Sequence, residues 1–129
     1  MTTTQLLDIL RAHLATFELP QPCSVHLIPF LSTENVTAQL ARPTPPQTRS
    51  ALLAWAETLT EVTAGAWRLP SGESVHLSVL GHLPGGAPIR IYTGVAFTEH
   101  GIGAELAPGA STTMPLATLR QWITEEVRS

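Results

Sequence analysis

The chain has no lysine, one cysteine and few aromatic residues, and charged side chains make up only 13% of its 129 residues. Its seven bases are all arginine, scattered as Arg11, Arg42, Arg49, Arg68, Arg90, Arg120 and Arg128, against ten acids for a net charge of −3. Binding duplex nucleic acid draws on clustered cations that displace counterions, so no nucleic-acid partner is expected. A lone Cys23 forbids an internal disulfide and a cysteine-based zinc site. No apolar run is long enough to span a bilayer, and Met1–Asp8 lacks the basic start and apolar stretch of a signal peptide. The expectation is a cytoplasmic protein with no membrane partner.

What is present is a core. Hydrophobic residues make up 43% of the chain, enough for one domain over 1–129 that folds without covalent staples. Leu7, Leu10, Leu14 and Phe17 recur at helical spacing and predict a first helix over Thr4–Phe17, capped by Thr3 or Thr4 and stopped by Pro20 and Pro22. Cys23–Phe30 and Val36–Ala41 read as strands joined by the turn residues at 32–35, with Val25, Leu27, Val36, Ala38 and Leu40 inward. Thr44 and Pro45 begin a second helix whose stripe is Leu52, Trp55, Ala56 and Leu59. Glu61–Leu69 is a third strand. Thr113 caps a last helix with Pro115 in its first turn and Leu116, Leu119, Ile123 and Val127 on its inner face.

Ser74–Phe97 carries the clearest pattern. Val75, Leu77, Val79, Ile89, Ile91, Val95 and Phe97 fall on one side of a hairpin; His76, Ser78, Leu80, His82, Arg90 and Tyr92 fall on the other. A two-residue Gly85-Gly86 turn would pair Val79 with Tyr92 and mix the faces. A three-residue Pro84-Gly85-Gly86 loop keeps them apart, with Val79 opposite Ile91 and Ser78 opposite Tyr92.

The order α-β-β-α-β-β-β-α predicts an α+β domain with a mainly antiparallel sheet of about five strands and helices packed on one face. The other face is then open. Its residues, His76, Ser78, Leu80, Arg90 and Tyr92 with Trp67 and His26, include the types that concentrate binding energy in interfaces. The competing arrangement has the third helix or the Thr98–Thr112 loop fold over this face.

Candidate chemistry is sparse. His26 and His76 could meet if their strands were neighbours, but His76 and His82 stand roughly 20 Å apart along one strand, too far to share an ion, so no metal site is expected. Glu99 and His100 could act as an acid–base pair beside Gly101 and Gly103, with Glu105 close by, yet neighbours on an extended chain point apart and no nucleophile is tied to them. No cofactor motif is present.

Leu53–Ala64, Pro84–Tyr92 and Phe97–Ser111 resemble segments of small actinobacterial proteins of unknown function. The resemblance implies provenance and a mobile-element or regulatory neighbourhood, without an activity or catalytic residues to carry over. Two functions are therefore expected in competition. One is a non-enzymatic interaction module, a homodimer or a protein-binding domain using the open face. The other is a small-molecule-binding protein or enzyme using the loop Glu99–Glu105. A pocket beside His100 would favour the second.

Overall fold

In a computed structural model, residues 1–30, 34–41 and 45–128 are described, with the side chains of 45–49 and 125–128 left aside. Three helices and six strands follow in the order α1 (Thr3–Thr16), β1 (Pro22–Leu27), β2 (Val36–Leu40), α2 (Pro45–Ala56), β3 (Thr60–Arg68), β4 (Ser74–His82), β5 (Pro88–Ala96), β6 (Ser111–Pro115) and α3 (Leu116–Arg128). They build one sheet, ordered β1-β2-β5-β4-β3-β6. The α+β class holds. The sheet has six strands where about five were expected, and it is mixed, because β2 runs parallel to β5 while the other four pairs are antiparallel.

The extra strand is β6. Thr112, Thr113 and Met114 pair with Ala66, Gly65 and Ala64 of β3, so Thr113 is a strand residue and does not cap α3. Threonine suits a strand, where its branched side chain packs on the pleat. The β4–β5 hairpin has the register that the two-faced pattern requires, Val79 opposite Ile91 and Ser78 opposite Tyr92. Its loop is closed by the Leu83 amide donating to the Ala87 carbonyl, and Gly85 and Gly86 both take positive φ. An L side chain is strained in that region, so the two glycines permit the odd loop.

All three helices contribute to one core against one sheet face. Leu6 and Leu10 of α1, Leu52 and Trp55 of α2, and Leu119 and Ile123 of α3 join Ala38, Ile91, Val79 and Ala64 from the strands. Leu14, Val25 and Leu27 pack against this cluster half-buried. The α1 stripe differs from the expected one: Leu6, Leu10 and His13 face inward, whereas Leu7 is 45% exposed and Phe17 lies outside the helix as its C-cap. Thr2, one residue earlier than expected, caps α1 through a reciprocal pair of bonds with Gln5. The Thr44 cap, the 32–33 part of the first turn and the Val127 side chain lie outside the described residues.

His13 is a buried polar side chain in this apolar layer. The Thr58 hydroxyl donates its one proton to the Trp55 carbonyl at 2.8 Å, so at the 2.8 Å His13 Nε2···Thr58 Oγ1 contact the ring must donate. Nδ1 is then a bare acceptor, and it is buried without a partner. Burial pushes the His13 pKa below 6.5. The native ring stays neutral while the unfolded one takes up a proton below pH 6.5, so its contribution is complete above that pH and is lost as pH falls toward the lower native value. Urea midpoints should therefore drop between pH 7.5 and 5.5 in the native chain, and His13→Leu should flatten that dependence. An unchanged slope in the variant would contradict the assignment.

Thr93 presents a second buried polar defect. Its side chain is fully buried on the helix-facing side of β5, and Oγ1 has no hydrogen-bond partner. Thr93→Val keeps the shape and removes the unpaired hydroxyl, so it should stabilise the protein by about 1–2 kcal/mol. A lower melting temperature in the variant would show that Oγ1 is satisfied in solution.

Candidate interaction face

The face of the sheet away from the helices is assembled by strand alternation. β4 supplies His76, Ser78, Leu80 and His82; β5 supplies Arg90 and Tyr92; β3 supplies Thr63, Gly65 and Trp67; β2 supplies Thr37 and Gln39. Trp67 sits directly opposite His76, which settles its side. An extra residue in β3, between Thr60 opposite His82 and Thr63 opposite Leu80, fixes this parity, and Glu61 at that bulge takes a left-handed φ of 53°.

The rings form a band across three strands. Trp67 meets His76 edge-on at 5.5 Å between centroids, and His76 stacks on Tyr92 at 5.6 Å. Tyr92 continues the band by donating its hydroxyl to Gln39 Oε1 at 3.3 Å, while the Arg90 guanidinium lies 5.0 Å from the Tyr92 ring centre. These mutual contacts restrict the side chains before anything binds, which lowers the ordering cost of recognition. Trp67 is 37% exposed, and His76, Leu80, Arg90 and Tyr92 are partly buried. Ser78 belongs to this side of the sheet but is 6% exposed, so it is floor and not contact surface.

His26 is not part of the band. Its strand, β1, is separated from β4 by β2 and β5, and the register places Leu80, not His76, straight across from His26, so the two rings stand roughly 20 Å apart, three strand spacings across and four residues along. The His26–His76 approach that neighbouring strands would have allowed does not form. Among the described residues no group of three or more histidine, cysteine, aspartate or glutamate side chains is placed to hold a metal.

Among the described residues, the last helix and the long loop pack on the other side of the sheet from the band. Ile123 and Leu119 of α3 belong to the opposite, helix-covered side. The loop after β5 turns the same way: Ile102 joins the core, and Gly103 lies against the Val75 side chain. Arg68 fixes this loop, stacking its guanidinium 3.5 Å from the Phe97 ring centre and donating to the carbonyls of Gly72 and Leu106. Sequence alone did not single out Arg68, because its partners are main-chain carbonyls that carry no residue signature.

Glu99, His100 and Glu105 are exposed on the rim of that loop. The described depressions lie elsewhere: two along α1, and one beside Glu61 and His82. In the last, the His82 Nδ1 to Glu61 Oε2 distance is 3.4 Å, without hydrogen-bond geometry. No family model matches the chain, and no curated protein or solved structure matches it either. The geometry therefore carries the functional argument.

Proposed function

We propose that this protein is a non-enzymatic association module whose open sheet face binds a protein surface, and that its occupant is a second copy of the chain. The observation that carries this reading is the preassembled Trp67–His76–Tyr92 band, flanked by Leu80 and Arg90, on the sheet face opposite the helix-packed core. Tyrosine, tryptophan and arginine dominate binding energetics in interfaces. The size also fits. Six strands of five to nine residues, at about 4.8 Å spacing and about 3.3 Å per residue, give a footprint of roughly 600–700 Å², near the 800 Å² per partner of a stable interface. Two copies meeting across a twofold axis would bury the band with self-complementary contacts. The resemblance to small actinobacterial proteins adds no activity to this reading.

Tyr92→Asp puts an unpaired charge at the centre of the contact while leaving the helix-packed core untouched. It should weaken self-association at least about 30-fold, the equivalent of about 2 kcal/mol, with unchanged circular dichroism. Glu99→Gln combined with His100→Gln, on the exposed loop, should leave association as it is. If the loop pair abolished association and Tyr92→Asp did not, the face would be wrongly assigned.

A further inference from the structure

Two adjoining depressions lie on the helix side of the molecule, away from the sheet face. The outer flank of α1 and the tip of the β4–β5 hairpin enclose a depression of about 470 Å³. Its apolar walls are Ile9, Ala12 and Phe17 from the helix side and Pro84 from the hairpin; Gly85 stands close to the Ile9 side chain. A second depression of about 480 Å³, shared through Asp8 and Ile9, extends the groove toward Gln5 and Met1. The groove has the size of small-ligand sites.

The polar side chains of the hairpin-side depression are acceptors, while Gln5 at the far end of the groove carries amide donors. The Thr16 hydroxyl has given its proton to the Ala12 carbonyl at 2.8 Å and can only accept. His13 lies beneath the floor with its single ring proton committed to Thr58 and its Nδ1 buried, so it offers a ligand no donor. Asp8 brings a carboxylate, and its contact with Arg11 is loose, 3.8 Å between two well-exposed side chains. Such an exposed pair leaves the carboxylate charge available to another cation. Arg11 does not line the groove. Nothing in the hairpin-side depression offers a side-chain donor, so a carboxylate or phosphate ligand would find repulsion and no hydrogen bond. Phe17 adds an aromatic face of the kind that attracts cations.

We infer that this groove binds a small organic ammonium with an aromatic or aliphatic body, the body on Ile9, Ala12, Phe17 and Pro84 and the cationic head toward Asp8 and Thr16. Phenethylamine, 2-phenylethanol and 3-phenylpropionate share the body and differ in the head, so titrating each against the full chain and following the α1 amide resonances reads the preference. Phenethylamine should bind at least tenfold more tightly than 3-phenylpropionate, with shifts centred on Asp8–Phe17. Asp8→Asn, at an exposed position, should reduce phenethylamine to the level of the alcohol. Ala12→Phe, also exposed, should fill the groove and abolish binding with circular dichroism unchanged. Equal affinity for the three compounds, no shift with any of them, or undiminished binding by Ala12→Phe would overturn the assignment. Self-association measured on the same samples keeps this result separate from that of the sheet face.

Discussion

Replacing Trp55 with alanine should destabilise the fold by about 3–5 kcal/mol and lower the melting temperature by about 10–20 °C. Trp55 is fully buried, the largest such side chain in the core, and it is the point where α1, α2 and the segment before β1 meet. Its indole nitrogen donates to the Pro20 carbonyl at 2.9 Å, and its ring lies 5.8 Å from His13. Truncation therefore opens a cavity and leaves the Pro20 carbonyl without that donor. Trp55→Phe keeps most of the volume and loses the hydrogen bond, so it should cost about 1–2 kcal/mol. Chemical denaturation of both variants checks the ranking, and equal losses would show that packing at this position contributes little.

Gly81→Ala should cost about 2–3 kcal/mol although it adds only a methyl group. Gly81 lies on the helix side of β4, where the chain entering β3 presses against it. A Cβ there would stand 2.9 Å from the Leu59 Cβ and 3.1 Å from the Thr60 carbonyl oxygen. Neither atom can rotate away, so the backbone of the α2–β3 connection would have to shift. Gly65→Ala is the natural comparison. Its nearest neighbour is the Ser78 hydroxyl at 3.1 Å, which can turn aside, so its cost should be smaller. Equal midpoints for the two variants in urea would refute the close approach at Gly81.

The elements that sequence made legible are those whose signal is local. The hairpin faces followed from alternation, and the three-residue loop followed from requiring those faces to stay separate. β6 was not legible because Ser111–Pro115 is a strand only through its pairing with β3, and a Thr-x-Pro start is equally the signature of a helix. The α1 stripe was ambiguous because Leu6 and Leu7 are neighbours; what orients the helix is His13, whose burial depends on Thr58, forty-five residues away. The parallel β2–β5 pair depends on the path of the chain through α2, which no periodicity encodes. On the candidate face, Arg90 and Tyr92 were visible in their strand pattern. The partnership of Tyr92 with Gln39 and the exclusion of His26 required the strand order.

If the Trp67–His76–Tyr92 band is a self-contact, the mass of the wild-type protein in solution must show it. Light scattering during size-exclusion chromatography, repeated over a dilution series, should give a mass approaching twice the 13.8 kDa of the chain and falling on dilution. A mass of 13.8 kDa at every concentration up to the solubility limit would contradict the self-contact.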